Sequence, residues 1–472
     1  MEIYPIYVGG DFRKTSRPHR ISNPFNHEVV AETYMAGDEE LDEAVEKALT
    51  VRNELRDMPS YRKYEILMQI AGEITVRKPW FTRVLCSESA KPWKYAAAEV
   101  ERAIQCFRVA AEECKRLPLE YIRLDWTPAG EGKEGLVRYV PVGVVAGITP
   151  FNFPLNLVVH KIAPAIAAGC PIILKPSPVT PLSALELAKI IEHTTLPKGA
   201  VSVIPMDNAI AGCLATDPRI KMLSFTGSPA IGWKLKQEAG KKRVILELGG
   251  NAGTIITESC QVAETVGKCI TGGFAYSGQV CIHAQRIYIQ RSIFDYFIRM
   301  FTDAVKMLKY GDPLDPLTDI SVMINERNAI RVEEWVNEAI ASGAKIHCGG
   351  KRKGSFYEPT ILSETNNTMK VCSLEIFGPV VTLESYDTFS EAIGKVNDTE
   401  FGLQAGVFTN NLAEMNEAFR DLEAGGIIIN DTPTFRVDHM PYGGVKNSGL
   451  GREGIKYAIM EMTESRILVK NF

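Results

Sequence analysis

The sequence predicts an α/β fold with two doubly wound parallel sheets and a small β-hairpin unit attached to them. After Pro141, short apolar strands alternate with helices, and this order is typical of a parallel sheet. A second alternating region runs from about residue 250 to residue 444. At 472 residues the chain is too long for one core, so we expect two or three domains.

The N-terminal part of the chain has a different pattern. Residues 1–35 contain turn signals and short strand-like runs. From Asp38 to about Leu117, apolar residues recur at three- and four-residue spacing, which predicts helices. A turn-rich segment at residues 127–132 then separates two strand-like runs and predicts a hairpin that stands off the main body. The last apolar run, residues 466–469, is expected to pair with this hairpin or with a neighbouring subunit.

The strands of the two alternating regions are short and apolar throughout. Residues 142–148 form a continuous apolar run, as expected of a strand that is covered on both faces. A helix is predicted from about Leu182 to His193. The other predicted strands are residues 172–174, 201–204 and 222–225 in the first region, and 253–256, 286–289 and 426–429 in the second.

Composition argues against several classes of protein. A formal charge of −4 provides no basic surface for nucleic acid. No apolar run reaches the roughly 18 residues that span a bilayer, and the N-terminus lacks the pattern of a secretory signal. The ten cysteines form no Cys-x-x-Cys pair and no ligand cluster with the seven histidines, so we expect no metal site. Dispersed cysteines also predict a reducing, cytoplasmic location.

One cysteine and one glutamate together suggest covalent catalysis. Cys281 ends the run Gly-Gln-Val-Cys, and Glu247 precedes Leu-Gly-Gly. A thiol after a flexible glycine turn can act as a nucleophile, and a carboxylate held by glycines can act in a later step. Taken alone, Cys281 is more often a buried structural thiol and Glu247 a surface carboxylate, so the prediction depends on the combination.

Three polar groups follow predicted strands, where sheets of this kind bind ligands. Asn152 lies between aromatic and proline residues, and its amide is suited to stabilising an oxyanion. Lys175 ends a strand and can bond to ribose or phosphate. Ser228 opens a helix whose free N–H groups attract phosphate. For each of these, an ordinary turn, cap or solvated side chain remains an alternative.

In this order the motifs resemble those of the aldehyde dehydrogenase superfamily, and the resemblance covers nearly the whole chain. Further runs that carry it are residues 374–379, 401–409 and 441–449. The resemblance implies a homodimer or homotetramer that acts on a small aldehyde, without nucleic acid or membrane partners. It implies an NAD(P)-binding domain at 1–117 and 141–247, a catalytic domain at 248–445, and an oligomerisation hairpin with a C-terminal strand at 118–140 and 446–472.

The resemblance also implies a role for each site residue. Cys281 is expected to attack the aldehyde, Asn152 to hold the oxyanion with the Cys281 backbone N–H, and Glu247 to activate the water that hydrolyses the thioester. The hydride acceptor is NAD or NADP. The residues expected to bind it are Thr149, Pro150, Phe151, Lys175, Ser177, Gly227, Ser228, Glu375 and Phe377.

Several positions bear on cofactor and substrate choice. Pro178 stands where many NAD-preferring members carry a glutamate that binds the adenosine ribose, so NADP is admissible beside NAD, which we place first. His160 stands where succinate-semialdehyde dehydrogenases commonly carry an arginine, and a histidine is a weaker anion anchor. His283 either faces the site or packs behind it. Arg436 and His439 lie in a segment that resembles the lactaldehyde and non-phosphorylating glyceraldehyde-3-phosphate dehydrogenases.

Arg436 and His439 are therefore expected to contact a hydroxyl or anionic end of a short substrate. Alternatively, Arg436 forms a salt bridge with Asp438 or with a neighbouring loop. The predicted function is NAD(P)-dependent oxidation of a small hydroxylated aldehyde to the free acid. A succinate-semialdehyde or similar dehydrogenase and a CoA-acylating semialdehyde dehydrogenase remain alternatives, although the acylating branch usually lacks the base Glu247. A non-catalytic protein on the same fold is a third.

Overall fold

Short strands, four helices and a hairpin form the N-terminal part of the chain, as the sequence predicts. The computed structural model describes residues 2–472. The four helices bury apolar residues at helical spacing, as in Leu41, Ala44, Val45 and Ala48. The elements of this part are β1 (Glu2–Ile3), β2 (Ile6–Val8), β3 (Asp11–Arg13), β4 (Pro18–Ser22), β5 (Val29–Tyr34), α1 (Asp38–Asp57), α2 (Ser60–Val76), α3 (Lys78–Ser89), α4 (Trp93–Glu113), β6 (Leu119–Arg123) and β7 (Lys133–Pro141).

Strands and helices then alternate up to residue 247. The five strands of this part are parallel to one another and almost entirely buried, which accounts for their continuous apolar runs. The elements are β8 (Val144–Ile148), α5 (Asn156–Ala168), β9 (Ile172–Lys175), α6 (Leu182–Glu192), β10 (Val201–Val203), α7 (Asn208–Ala211), α8 (Cys213–Thr216), β11 (Ile220–Thr226), α9 (Pro229–Glu238) and β12 (Arg243–Glu247).

The second alternating region begins at residue 253 and contributes most of a second sheet. The predicted strands at residues 253–256, 286–289 and 426–429 are all present. The elements are β13 (Gly253–Ile256), α10 (Val262–Phe274), β14 (Arg286–Gln290), α11 (Phe294–Lys306), α12 (Glu326–Ala341), β15 (Lys345–Cys348), β16 (Arg352–Lys353), β17 (Phe356–Tyr357), β18 (Thr360–Ser363), α13 (Lys370–Ser373), β19 (Val380–Tyr386), α14 (Phe389–Asn397), β20 (Gln404–Phe408), α15 (Leu412–Asp421), β21 (Gly426–Ile429), β22 (Gly449–Leu450), α16 (Ile455–Glu461) and β23 (Thr463–Asn471).

The first sheet has a switch point at its centre. Its strand order is β22-β12-β11-β8-β9-β10-β2-β3. The chain runs outward from β8 through β9 to β10, then returns to the other side of β8 to form β11 and β12. In sheets of this kind, ligands bind in the crevice at the carboxyl ends of the strands where the order reverses. The segments that follow Ile148 and Thr226 therefore lie side by side at that crevice.

The second sheet has the order β15-β18-β19-β14-β13-β20-β21, and every pairing in it except that of β15 is parallel. A five-residue link, residues 248–252, carries the chain from β12 of the first sheet to β13 of the second. The two sheets thus meet beside Glu247, the last residue of β12.

The C-terminal strand completes a small antiparallel sheet with the hairpin. β23 pairs with β7 from Thr463 opposite Pro141 to Asn471 opposite Lys133, and β6 pairs with the other edge of β7. Of the two partners expected for residues 466–469, the hairpin is thus present within the chain. β22 pairs with β12, and α16 packs against α4 and α5, so residues 449–461 contact the first sheet and its helices. The domain boundaries remain a prediction.

The largest core cluster lies between the helices and the first sheet. Leu67, Ile104, Phe107 and Val159 of α2, α4 and α5 are fully buried in it. Helix α5 is buried on every side, because the sheet lies on one face and other helices cover the rest. Within residues 2–472, no helix is both long and apolar enough to cross a membrane.

Arg286, at the start of β14, leads to a prediction about stability. Its buried guanidinium donates to the carbonyl oxygens of Asn251 (2.9 Å), Lys395 (2.9 Å) and Val396 (3.0 Å). We expect Arg286→Leu to lower the free energy of unfolding by about 3 kcal/mol or more, because three buried acceptors lose a charged donor. Denaturant unfolding measures this. Arg291→Leu, which removes an exposed ion pair, should change stability by under about 1 kcal/mol, and equal losses would contradict the assignment.

Candidate active site

A cavity of about 610 Å³ lies at the carboxyl ends of β8, β11 and β12 and reaches the second sheet. It is the crevice that the strand order of the first sheet creates. Residues from both sheets and from helix α4 form its wall. Of the residues predicted for the site, it brings together Asn152, Glu247, Cys281, Pro150, Phe151, Gly227, Ser228, Glu375, Phe377 and Arg436.

A strained turn presents Cys281 to this cavity. Tyr276, Ser277 and Gly278 follow α10 with φ of 49°, 55° and 68°, a region that only glycine adopts readily. The hydroxyls of Tyr276 and Ser277 donate to carbonyl oxygens of other segments at 2.9 and 2.7 Å, and these bonds hold the strained backbone. A Cβ at Gly278 would lie 2.1 Å from the carbonyl oxygen of Gly378. The turn expected to be flexible is therefore tightly packed.

The Cys281 thiol is protonated near neutral pH. Burial raises the pKa of the thiol to about 11, and a hydrogen bond with the Tyr442 hydroxyl opposes this in part. The Sγ and hydroxyl oxygen are 3.3 Å apart. Tyr442 lies in residues 441–449, one of the runs that carry the family resemblance, but the sequence did not predict a role for it in the site.

The Glu247 carboxyl group is buried without a hydrogen-bond partner among the described residues. Burial, together with the negative charge of Glu453, raises the pKa of Glu247 well above its usual value. The backbone of Gly443 passes so close that a Cβ there would lie 2.8 Å from Glu247 Oε1. An uncompensated carboxyl with a raised pKa is suited to accepting a proton near neutral pH.

The Asn152 side chain reaches from the first sheet toward the Cys281 turn. Its Nδ2 donates to the carbonyl oxygen of Gln279 at 3.0 Å, and its Oδ1 has no partner among the described residues. An amide nitrogen carries two hydrogens, so one N–H remains for a ligand in the cavity. The amide is therefore bonded to the residue two positions before Cys281, and Asn152 and Cys281 line the same cavity.

One end of the cavity fits a dinucleotide phosphate. Ser228 precedes α9, but its side chain makes no capping bond, and the first N–H groups of that ten-residue helix lack intrahelical partners. The side chains of Thr149, Lys175 and Ser177 are buried nearby, at the ends of β8 and β9, without forming part of the cavity wall. Burial lowers the pKa of Lys175 to about 8.

Polar atoms at this end still lack strong partners. The hydroxyl of Thr149 has no hydrogen bond among residues 2–472. The Nζ of Lys175 is 3.4 Å from Asn208 Oδ1. A phosphate or ribose hydroxyl would satisfy both groups, so the residues present fit NAD or NADP.

The cavity wall also includes Glu375 and Phe377. The Phe377 ring meets the Phe151 ring edge to face, with centroids 6.0 Å apart. Burial raises the pKa of Glu375 to about 7, although its Oε1 accepts a hydrogen bond from Gly250 N at 3.0 Å. A ribose hydroxyl is a suitable donor to this carboxylate, as the resemblance implies.

The structure brings none of the three predicted substrate histidines to the cavity wall. The Nε2 of His283 donates to the carbonyl oxygen of Gly273 at 2.8 Å, so this residue packs behind the site. His439 is exposed. His160 is buried, and its Nε2 lies 2.8 Å from Asp438 Oδ1. The expectation that these histidines contact a substrate directly therefore has no structural support.

Three arginines, Arg102, Arg331 and Arg436, form part of the wall instead. The Arg436 guanidinium lies over the Tyr442 ring, 3.5 Å from its centroid, and its Nη2 is 3.4 Å from Glu453 Oε2. Its Nε is buried without a partner among the described residues. Asp438 pairs with Arg102 at 2.7 Å, not with Arg436 as one alternative proposed. Arg102 escaped the sequence reasoning because 336 positions separate it from Asp438.

A cysteine and a histidine cluster behind this wall, contrary to the sequence-based expectation. Reactive atoms of Cys106, His160 and Asp438 lie within 4.8 Å of one another and are buried. The guanidinium groups of Arg102 and Arg436 contact the aspartate and the histidine, respectively. Burial raises the pKa of Asp438, but the hydrogen bonds with His160 and Arg102 outweigh burial and hold this pKa well below its usual range. The Arg102 guanidinium balances the charge of Asp438 in this cluster.

The parallel sheets, the crevice at the switch point and the thiol–amide–carboxyl arrangement define a dinucleotide-dependent oxidoreductase with a cysteine in its site. The family model described as the aldehyde dehydrogenase family matches residues 12–468. A 3-sulfolactaldehyde dehydrogenase from Priestia aryabhattai is 44% identical over 470 residues, covering 99% of this chain and 98% of that protein.

Two solved structures are similar over the whole chain. Aldehyde dehydrogenase 21 from Physcomitrella patens, in complex with the reaction product succinate, has a TM-score of 0.98 and 42% identity, covering 100% of this chain and 98% of that one. Glyceraldehyde-3-phosphate dehydrogenase GapN from Methanocaldococcus jannaschii, complexed with NADP, has a TM-score of 0.93 and 38% identity, with coverages of 98% and 100%.

The chain belongs to the aldehyde dehydrogenase family, as its motifs indicate, and is an NAD(P)-dependent member of it. The predicted fold class is confirmed, and so is the similarity to the lactaldehyde and GapN branch. The substrates for which these relatives are named narrow the range of aldehydes to test.

The pKa of Cys281 leads to a prediction about its reactivity. Because only the thiolate is alkylated, we expect the rate with iodoacetamide in the cofactor-free protein to rise about tenfold per pH unit from pH 7 toward the pKa of about 11. Mass spectrometry of the peptide that contains Cys281 measures the rate. Exposed Cys213 serves as the internal control. A rate at Cys281 that levels off below pH 8 would show that the thiol pKa is not raised.

Proposed function

We propose that this enzyme oxidises a small hydroxylated aldehyde with an anionic end to the free acid. The observation that carries the proposal is the convergence of Asn152, Cys281 and Glu247 on one cavity whose three arginines include Arg102 and Arg436. The first three groups supply covalent chemistry. The arginines supply positive charge near the substrate.

In the first step, the Cys281 thiol loses its proton to solvent water, and the thiolate attacks the aldehyde carbon and forms a thiohemiacetal. The free N–H of the Asn152 amide and the backbone N–H of Cys281 stabilise the oxyanion that develops. Because the Asn152 amide is already held by the Gln279 carbonyl group, its second N–H needs little reorganisation. Collapse of the thiohemiacetal releases a hydride, which the bound nicotinamide accepts.

In the second step, Glu247 removes a proton from water, and the resulting nucleophile hydrolyses the thioester to the acid. Burial and the proximity of Glu453 support this role, because they raise the pKa of Glu247 well above its usual value and so make it a stronger base than an exposed carboxylate. The presence of this base also argues against an acylating enzyme, in which CoA takes the acyl group.

The anionic end of the substrate is inferred from Arg436 and Arg102. The Nε of Arg436 is a buried donor without a partner among the described residues, and an anion in the cavity would satisfy it. Arg102 retains about a quarter of its side-chain exposure at the cavity wall. The relative from Priestia is named for a sulfonated hydroxyaldehyde, which combines both features.

A carboxylate-bearing semialdehyde is the second candidate substrate. Succinate is the product bound to the similar plant enzyme. His160, at a position where an arginine is common, speaks against such a substrate, but His160 does not form part of the cavity wall. Arg102 and Arg436 supply two cations there without it, so that argument loses its physical basis.

NAD remains our first choice of cofactor, with NADP admissible. Pro178 offers no carboxylate that would repel a 2′-phosphate, and nearby Lys175 would attract one. A relative with bound NADP is consistent with either choice. We also retain the division into an NAD(P)-binding domain, a catalytic domain and an oligomerisation hairpin, because the first sheet, the second sheet and the hairpin sheet follow it except at residues 449–461, which contact the first sheet and its helices.

We further propose a homodimer or homotetramer in a reducing cytoplasm. The small sheet of β6, β7 and β23 exposes a row of apolar side chains, which a partner subunit would cover. The ten cysteines are unpaired in residues 2–472, which suits a reducing compartment. The exposed apolar residues are Leu119, Tyr121, Ile467, Leu468 and Val469.

The proposed reaction predicts a separation of its two steps in Glu247→Gln. We expect this variant to retain a burst of one NAD(P)H per active site while steady-state turnover falls at least about 100-fold, because acylation precedes the step that needs the base. Stopped-flow absorbance with a panel of short hydroxyaldehydes and semialdehydes measures both phases. Cys281→Ala should lose the burst.

Product analysis with and without CoA completes this test. The free acid should form in both cases. A CoA thioester as the sole product, or undiminished NAD(P)H formation in Cys281→Ala, would contradict the proposal.

The proposed anion site predicts a change in selectivity. We expect Arg102→Met to lower kcat/KM for sulfolactaldehyde or succinate semialdehyde about 10- to 100-fold, because a charge-assisted hydrogen bond is lost. Neutral lactaldehyde should change by less than about threefold. Arg108→Met, an exposed arginine on the same helix, is the matched control. Equal losses with charged and neutral aldehydes would show that Arg102 does not read the charge.

A further inference from the structure

A buried ion pair in the cavity wall has no role in the chemistry described above. Lys91 lies in the connection between α3 and α4, and Glu99 lies in the second turn of α4. Their side chains pair directly, and both are fully buried. Both residues line the same cavity as Asn152 and Cys281.

Lys91 bridges the two segments that carry the thiol and the amide. Its Nζ donates to the main-chain carbonyl oxygen of Asn152 at 2.7 Å. The same ammonium lies 3.8 Å from the ring centroid of Phe153 and 4.6 Å from that of Tyr276. Tyr276 belongs to the strained turn that precedes Cys281. The Lys91 ammonium therefore contacts the Asn152 backbone, the Phe153 ring and the turn that precedes Cys281.

Glu99 holds the other side of the Asn152 segment. Its Oε1 accepts hydrogen bonds from the backbone N–H groups of Leu155 at 3.0 Å and Asn156 at 3.1 Å, where α5 begins. The segment from residue 152 to residue 156 is thus bonded at its start by the lysine and at its end by the glutamate.

Stability alone does not explain such a pair. Removing two charges from water is costly, and a buried ion pair is often no more stabilising than apolar side chains of similar size. Burial lowers the pKa of Lys91, although Glu99 opposes the shift. By contrast, the same two helices carry an ordinary surface pair, Lys78 and Glu101, 2.8 Å apart and about half exposed.

We propose that the Lys91–Glu99 pair is a positioning device for the oxyanion site, fixing the Asn152 amide relative to Cys281. This inference rests on the proposed role of Asn152. The pair does not contact the reacting atoms. It acts by restricting the backbone of residues 152–156, and its benefit is confined to the transition state, where the oxyanion develops.

The test is a double-mutant cycle with Asn152. The main variant is Lys91→Met/Glu99→Gln, which leaves no buried charge unpaired and retains an acceptor for the N–H groups of Leu155 and Asn156. We expect its kcat to fall at least about tenfold, with the KM for the aldehyde and the dissociation constant of NAD(P)H changed by less than about twofold. In the Asn152→Ala background, the same double change should cost less than about threefold, since the amide it positions is absent.

The matched control is Lys78→Met/Glu101→Gln, which removes the surface pair on the same helices and should leave kcat unchanged. If Lys91→Met/Glu99→Gln fails to fold, Lys91→Gln/Glu99→Gln, which keeps a neutral donor to the Asn152 carbonyl oxygen, enters the same cycle with a smaller expected loss.

The outcomes separate this inference from the proposed function. Equal factors in both backgrounds, or no loss of kcat in the wild-type background, would overturn the positioning role while leaving the reaction intact. Full activity of Asn152→Ala would instead overturn the oxyanion role itself, and the positioning role with it. A loss confined to the background that retains Asn152 would support both.

Discussion

The site depends on a close approach of two backbones. The link from β12 to β13 passes the Cys281 turn so tightly that a Cβ at Gly250 would lie 2.2 Å from the carbonyl oxygen of Cys281. At the preceding residue, Gly249, a Cβ would lie 2.4 Å from Glu375 Oε2. Because Gly249 and Gly250 have no side chains, Glu247 of the first sheet lines the same cavity as a thiol and a carboxylate from segments of the second region.

Charge pairing then distinguishes the groups around the cavity. Arg102 is paired with Asp438, Lys161 with Glu453, and Lys91 with Glu99. Glu247 and Cys281, to which we assign the chemistry, have no ionic partner, and burial raises the pKa of both. The cavity wall thus combines compensated ion pairs with three buried groups that lack an ionic partner among the described residues, Glu247, Cys281 and Glu375, and two of these three are the groups to which we assign the chemistry.

The sequence predicted those features that residues close together in the chain determine. Parallel strands covered on both faces require continuous apolar runs, so the strands of both sheets were recognisable, and ligand-binding turns follow such strands. The places of Arg102 and Tyr442 in the site were not predicted, because their hydrogen-bond partners lie far away in the sequence. The predicted contacts of the histidines with substrate depended on their spacing from other motifs, and spacing in a loop does not determine side-chain direction. His439 is exposed, and His283 packs behind the site.

The placement of the last residues has a consequence for synthesis on the ribosome. β22 pairs with the end of β12, which carries Glu247, and β23 pairs with β7, so two sheets receive strands from the final residues of the chain. Even the Phe472 N–H donates to the carbonyl oxygen of Gly132. The N-terminal helices can collapse while translation continues. The edge strand beside Glu247 can form only after residues 449 and 450 have left the ribosome, so it joins the first sheet later than the segments that carry Asn152, Glu247 and Cys281.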